Sequence, residues 1–128
     1  MKWTEEKLLK YLKDNYYPDL VKSTDAMSRW DCYSKIYNHR IELKCRGKHY
    51  DDLMIEYKKY RFMLDICSAY VEIPMYINST PEGIYRFNLK TVNPKWEVKN
   101  IRKTTHFSES HRVKKKVGFL PITKADKL

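Results

Sequence analysis

Two carboxylates and a lysine stand close together in the sequence, in an order suited to phosphodiester hydrolysis. Asp31 is followed eleven residues later by Glu42, and Lys44 comes two residues after Glu42. Carboxylate oxygens bind hard divalent cations, and a lysine ammonium can orient an attacking water or stabilise developing negative charge. These residue types therefore predict metal-assisted hydrolysis, provided that the fold brings them together.

The polarity of the flanking residues alternates, which predicts two neighbouring strands with one polar face each. Asp31 would lie on the polar face of the first strand, and Glu42 and Lys44 on that of the second. The two faces coincide only if the numbers of paired residues add to an odd value. A turn at Asn38-His39 satisfies this condition, and so does a wider loop over 35–38, which sets Asp31 opposite Glu42. An ordinary amphipathic hairpin with a charged solvent face would show the same pattern.

Composition narrows the class of protein. The 128 residues suffice for a single domain, and 26 basic against 16 acidic residues give a net charge of +10, which favours a polyanionic partner. No long apolar run or signal peptide appears, so no membrane association is expected. Three cysteines without metal-type spacing suit the cytoplasm, or the host-cell cytoplasm for a viral protein. Three glycines leave no nucleotide-binding loop, so no nucleotide cofactor is expected.

The elements that would position the carboxylates can be read from caps, periodicity and turn residues. Thr4 is a favourable N-cap for a first helix, in which Glu5 falls on the apolar stripe, where a carboxylate needs a partner or a metal. The alternative for Glu5 is a surface residue in a fraying first turn, where the helix dipole favours its charge. The remaining pattern predicts a strand over 20–24, a second helix from Asp51 to Asp65, a strand from Ser68 to Ile77, a turn over 78–83, a strand over 84–89 and a strand from Trp96 to Ile101.

Basic residues form two groups that could hold a phosphate backbone. The first surrounds the predicted hairpin and comprises Arg29, Lys35, Arg40, Arg46 and Lys48. The second lies near the C-terminus and comprises Arg102, Lys103, Arg112, Lys114, Lys115 and Lys116. We therefore divide the single predicted domain into a core over 1–98 and a basic C-terminal arm over 99–128, which packs on the core or on nucleic acid. A solvated basic tail is the alternative for the arm.

The order of these elements and motifs over about residues 4–77 resembles the PD-(D/E)xK nuclease superfamily, which includes restriction enzymes and Holliday-junction resolvases. In size the chain looks most like the small phage and archaeal junction resolvases. The resemblance implies a restriction-endonuclease-like α/β fold with an αβββαβ core, in which helices flank a central mixed sheet and a basic C-terminal segment extends from it. No proline precedes Asp31, where Trp30 stands instead.

The same resemblance implies roles for individual residues. Asp31 and Glu42 would bind Mg²⁺ or Mn²⁺, with the Leu43 carbonyl as a further ligand, and Lys44 would orient the nucleophilic water or stabilise the transition state. Glu5 would match the glutamate of the first helix that completes the metal sphere in some members. A polar residue on the helix after the motif is matched by Lys58 or Lys59, and we assign it to Lys59.

Three functions are compatible with these features. The first is a Mg²⁺-dependent DNA endonuclease, either structure-selective for Holliday junctions and other branched DNA or of low sequence specificity; as a homodimer it would suit cutting two strands. The second is a non-catalytic nucleic-acid-binding protein on the same fold, since the net charge explains binding without a metal. The third is a protein-interaction module that uses its many aromatic residues.

Overall fold

The structure is a computed structural model that describes residues 2–25, 28–102 and 112–128, with the backbone alone at 101, 102 and 112. Its elements in chain order are α1 (Glu5–Asn15), β1 (Val21–Lys22), β2 (Cys32–Ser34), β3 (His39–Cys45), β4 (Asp52–Glu56), α2 (Tyr57–Tyr70), β5 (Ile73–Thr80), β6 (Gly83–Asn88), β7 (Lys95–Arg102), β8 (Arg112–Pro121), a 3-10 turn (Ile122–Lys124) and β9 (Asp126–Lys127).

The strands form two sheets. The main sheet is mixed, in the order β1-β2-β3-β5-β6-β9, with β3 and β5 parallel and the other neighbours antiparallel. The second sheet has the order β4-β8-β7. α1 covers one face of the main sheet, where its Leu8 and Leu12 share a core with Ile41 and Ile77. α2 and the second sheet cover the other face.

α1 begins at the residue that the sequence predicts. The Thr4 side chain accepts a hydrogen bond from the Lys7 backbone N–H at 3.2 Å, as an N-cap does. Glu5 and Glu6 lie in the first turn, where the helix dipole favours negative charge. The helix ends at Asn15, shortly before Pro18, which disfavours a helical residue in front of it.

The hairpin of β2 and β3 has the register that joins the two polar faces. Cys32 pairs with Ile41 and Ser34 with His39, so the numbers of paired residues add to an odd value. The four residues 35–38 form the loop between the strands, which is the wider of the two predicted loops. The predicted odd register is therefore confirmed for Cys32 to Ser34, whereas Asp31 lies just outside the paired residues and donates its N–H to the Ile41 carbonyl.

The predicted second helix from Asp51 to Asp65 is wrong in its first part. Asp52–Glu56 is strand β4, and α2 starts only at Tyr57. Leu53 pairs with Leu120 and Ile55 with Gly118, so a partner strand more than sixty residues away in the chain decides the conformation. Over only five residues, apolar residues at positions 53 and 55 do not distinguish a strand from the start of a helix. The core consequently has four strands between its helices, instead of the three expected.

The later elements are shifted relative to the predictions. Residues 68–70 belong to α2, which ends where Val71 adopts a left-handed conformation with φ 57°. β5 then extends to Thr80, so Asn78 and the two residues after it are buried strand residues rather than part of a turn. The strand predicted over 20–24 is reduced to Val21–Lys22. β5 is central and nearly fully buried, which explains why its polar residues were mistaken for a loop.

The C-terminal residues contribute to both sheets. β8 is the middle strand of the second sheet, and β9 pairs with β6 at the edge of the main sheet. The boundary between residues 98 and 99 falls inside β7, whose residues pair with β8 without interruption. Of the helices in the described ranges, none has the length and apolarity of a membrane span.

Candidate active site

Asp31 is fixed to the neighbouring strand by two hydrogen bonds. Its backbone N–H donates to the Ile41 carbonyl at 2.9 Å, and its Oδ2 accepts from the Leu43 N–H at 2.7 Å. The Asp31 side chain thus accepts a hydrogen bond from β3 at a position just before β2 begins. This arrangement holds one carboxylate oxygen at β3, next to the face that carries Glu42.

Glu42 lies beside Asp31 in a largely buried position, with 13% of its side chain exposed. Burial raises the pKa of Glu42 to about 8, and a hydrogen bond with the Asp31 carboxyl and its negative charge act in the same direction. The Lys59 ammonium, 2.6 Å from Glu42 Oε2, opposes this rise. The two carboxyl groups are therefore close enough to share a proton, which a bound cation would replace.

Glu5 reaches the same place from the first turn of α1. Partial burial raises the pKa of Glu5, and the Asp31 carboxylate adds to the rise through its charge and a hydrogen bond, while Lys22 opposes it. The same three carboxyl groups also affect the thiol of Cys32. Its pKa is raised first by burial and then by the negative charges of Asp31, Glu5 and Glu42, which all act on one thiol. Three carboxyl groups, from the first turn of α1, from the residue before β2 and from β3, thus lie near one another.

Lys44 lies two residues beyond Glu42, on the same face of β3 because side chains alternate along a strand. It is partly exposed and stands in register with Asn78 of the parallel strand β5. Within the described ranges Lys44 forms no ion pair. Its ammonium is consequently available to a ligand on this face.

The structure decides between the two lysines of α2. Lys59 Nζ contacts Glu42 and also donates to the Arg29 carbonyl at 2.6 Å, whereas Lys58 is exposed. The helix starts at Tyr57, and this start sets which lysine faces the main sheet.

The oxygen atoms around Asp31 are of the kind that Mg²⁺ and Mn²⁺ bind. Ile41 directs its carbonyl towards Asp31, and alternate carbonyls along a strand point the same way, so the Leu43 carbonyl lies on the Asp31 side as well. Among the residues that the structure describes, however, no three acidic, histidine or cysteine side chains form a ready-made metal site. The donor types fit a divalent cation, and Glu42 would have to part from Lys59 to join it.

A polar network beneath the carboxylates was missed in the sequence. Arg46 Nε donates to Asn78 Oδ1 at 2.9 Å, and its Nη2 reaches the Tyr76 hydroxyl at 3.0 Å and the Met54 carbonyl. Tyr76 donates to the same carbonyl at 2.8 Å. The network joins the residue after β3 to β4 and β5. Alternation of Tyr76 and Asn78 with apolar residues was the signal that could have found it.

Two of the predicted DNA contacts are engaged within the fold. Arg40 forms two hydrogen bonds to the Glu72 carboxylate, at 2.6 and 2.8 Å, and its guanidinium lies 4.3 Å from the Trp30 ring. Only 12% of the Arg40 side chain is exposed, and Arg46 is used in the network beneath the carboxylates. Both arginines therefore position the strands and their neighbours, and we leave them out of the proposed DNA surface.

The other predicted basic residues differ in what the structure describes of them. Arg29, Lys35 and Lys48 are exposed around the hairpin. On β8, Lys114 and Lys116 are exposed, whereas Lys115 forms an ion pair with Glu56 at 2.7 Å. Arg102 and Arg112 occupy opposed positions of β7 and β8. Lys103 lies outside the described residues.

The fold, but not the sequence, is similar to that of a known protein. No protein-family model matches the chain, and no curated protein sequence matches it. Among solved structures, the chain is similar to Hjc, a Holliday junction resolvase of the archaeal hyperthermophile Archaeoglobus fulgidus, with a TM-score of 0.63. The match covers 97% of this chain and 88% of that one at 11% sequence identity. The predicted fold class, a central mixed sheet flanked by helices, is therefore confirmed, and this chain shares the restriction-endonuclease-like fold with a junction resolvase.

Proposed function

We propose that this chain is a divalent-metal-dependent endonuclease that hydrolyses phosphodiester bonds in DNA, with branched DNA such as Holliday junctions as its preferred substrate. The observation that carries the proposal is the convergence of the Glu5, Asp31 and Glu42 carboxyl groups on the strand that bears Lys44. The shared fold with Hjc, which is named a Holliday junction resolvase, supports the choice of substrate.

In this proposal each residue of the site has one task. Asp31, Glu42 and the Leu43 carbonyl would hold Mg²⁺ or Mn²⁺, and Glu5 would add a further oxygen donor. When bound, the metal neutralises charge on the phosphate and lowers the pKa of a coordinated water. Lys44 orients that water or stabilises the negative charge that develops on phosphorus-bound oxygen. Lys59 balances the carboxylates before the metal binds, because its ammonium contacts Glu42.

The exposed residues Arg29, Lys35 and Lys48 would hold phosphates on either side of the scissile bond. Phosphate contacts carry no sequence information, which suits recognition of branched DNA by shape. One small site cuts one strand, so a two-fold pair of chains would cut the two strands of a junction.

The test is cleavage of a labelled four-way junction, a linear duplex and a single strand in Mg²⁺ and in Mn²⁺. We expect cleavage of the junction, and a loss of at least 100-fold in Glu42→Gln and in Lys44→Met. Glu82→Gln and Lys58→Met make the same changes at exposed positions and should cleave normally. Junction cleavage that persists in both site variants, with all proteins folded by circular dichroism, would refute the assignment.

A non-catalytic DNA-binding protein is the second candidate, and one observation favours it. The Lys59 ammonium lies against Glu42, where it supplies positive charge without any metal. Calorimetric titration with Mn²⁺ separates the two candidates. Heat of binding that Asp31→Asn removes supports the endonuclease, whereas salt-sensitive DNA binding without any Mn²⁺ effect supports the binding protein.

A further inference from the structure

β7 and β8 form a two-stranded ribbon that extends beyond the second sheet. β4 pairs with β8 only from Val117 to Pro121, whereas β7 follows β8 as far as Arg112. Over 98–102 and 112–116, β8 has no second neighbour among the strands that the structure describes. We call these ten residues the outer ribbon. At about 3.3 Å per residue, it is roughly 16 Å long.

One face of the outer ribbon carries basic residues without an acidic one. Val98 pairs with Lys116, Asn100 with Lys114 and Arg102 with Arg112, and paired residues share a face. Val98 is 66% exposed on the same face. This face therefore combines positive charge with an uncovered apolar residue.

The opposite face differs in its charge balance. There Lys99 stands opposite Lys115, but Lys99 lies 3.8 Å from Glu97 and Lys115 lies 2.7 Å from Glu56. Its cations are compensated within the protein. Among the residues that the structure describes, no ion pair compensates Lys114 or Lys116, so the face that carries them suits an external polyanion.

The inner end of this face and the carboxylate site both contact the first turn of α2. Trp96 packs edge-on against Tyr57 and Tyr60 in the first turn of α2, with ring centroids 5.1 and 5.0 Å apart, and Lys116 Nζ lies 4.3 Å from the Tyr57 ring centroid. Lys59, in the same helical turn, contacts Glu42. One turn of helix thus connects the ribbon to the site, so one DNA molecule can touch both.

We propose that the outer ribbon enters the major groove of duplex DNA whose backbone is bound at the carboxylate site. The major groove of B-form DNA, about 12 Å wide, admits a two-stranded ribbon. Lys114 and Lys116 contact the flanking phosphates, and Val98 and Asn100 approach the groove floor. The inference rests on the proposed function in one respect, namely that DNA is the ligand, and it concerns duplex binding rather than cleavage.

Fluorescence anisotropy with a labelled duplex in the absence of divalent metal tests the ribbon. Each lost phosphate contact reduces the slope of log K against log salt by about 0.9. We expect Lys114→Gln/Lys116→Gln to lower the slope by close to 2 and duplex affinity at 0.1 M salt by one to two orders of magnitude. Lys10→Gln/Lys13→Gln makes the same charge change on α1 and should leave the slope nearly unchanged. Lys114→Arg/Lys116→Arg should bind as the wild type does.

A labelled single strand of the same length provides the second readout. A groove contact predicts that the glutamine variant loses duplex affinity while its single-strand affinity changes by less than threefold. Equal losses on both ligands, or an unchanged slope on the duplex, would overturn the proposal. If no metal supports cleavage and Lys114→Gln/Lys116→Gln still loses duplex affinity, the endonuclease proposal fails and the ribbon proposal stands. If cleavage depends on Glu42 while the salt slope of duplex binding is unchanged, the endonuclease proposal stands and the ribbon proposal fails.

Discussion

The ammonium group of Lys59 lies 2.6 Å from Oε2 of Glu42, so a cation of α2 faces a carboxyl group of β3. A bound metal would compete with this ammonium for the same oxygen. We therefore expect Lys59→Met to bind Mn²⁺ about tenfold more tightly, which corresponds to about 1.4 kcal/mol. Calorimetry with Lys58→Met as the matched control measures the difference. Weaker Mn²⁺ binding by Lys59→Met would mean that the lysine supports the metal rather than replacing it.

Asp31 accepts a hydrogen bond from the Leu43 N–H, and this bond allows mutations to distinguish the structural role of Asp31 from its chemical role. Asn has a side-chain oxygen that can accept the same bond, so Asp31→Asn should unfold near the wild-type midpoint yet lose its affinity for Mn²⁺. Asp31→Ala leaves the partly buried Leu43 N–H without that partner. We therefore expect the free energy of unfolding of Asp31→Ala to be about 1–3 kcal/mol lower than that of Asp31→Asn. Urea denaturation of the two variants makes the comparison. Equal stability would show that the bond contributes nothing.

The Arg40–Glu72 pair predicts a large effect on stability and a small one on DNA binding. The two side chains are only 12% and 7% exposed, so removal of one partner leaves a buried charge. Arg40→Met should cost about 3 kcal/mol or more in urea denaturation, and Arg40→Met/Glu72→Met should recover much of the loss. The folded Arg40→Met protein should keep its salt slope of duplex binding, whereas exposed Lys35→Gln should lower it by about 0.9. The opposite ranking would return Arg40 to the DNA surface.

His39 predicts a loss of stability in mild acid. Its Nδ1 lies 2.8 Å from the Tyr17 hydroxyl, which accepts a hydrogen bond from Arg86 and can therefore donate to a neutral imidazole. Burial, and secondarily the charge of Arg86, lower the pKa of His39 to about 4. Between pH 6.5 and 4 the unfolded chain takes up a proton that the folded chain excludes, so His39 lowers stability as the pH falls, by at most about 1.4 kcal/mol per unit.

The measurement is urea denaturation of the wild type and His39→Gln at pH 7, 6, 5 and 4.5. The raised pKa values of Glu42 and Glu5 act on both proteins and cancel in the difference. We expect the stability of the wild type relative to the variant to shrink as the pH falls through this window. A difference that stays constant with pH would contradict the neutral state of His39 in the folded protein.

Local sequence determined the parts of the fold that depend on neighbours in the chain. Thr4 caps α1, and alternation around Glu42 with a four-residue loop fixes the odd register of the β2–β3 hairpin, beside which Asp31 lies near Glu42. Strand alternation has a period of two, so one register satisfies both the apolar and the polar positions. For this reason the site of Asp31, Glu42 and Lys44 could be proposed without coordinates.

Only the tertiary structure decided features that depend on distant partners. The segment Asp52–Glu56 becomes a strand because β8 pairs with it, and this choice sets the start of α2 and hence the contact of Lys59 with Glu42. Arg40 and Arg46 were predicted as DNA contacts because the sequence alone does not show whether a charged side chain is buried or which residue it pairs with. Pairing between segments tens of residues apart leaves little local trace, since the free energy that selects it comes from burial in the assembled core.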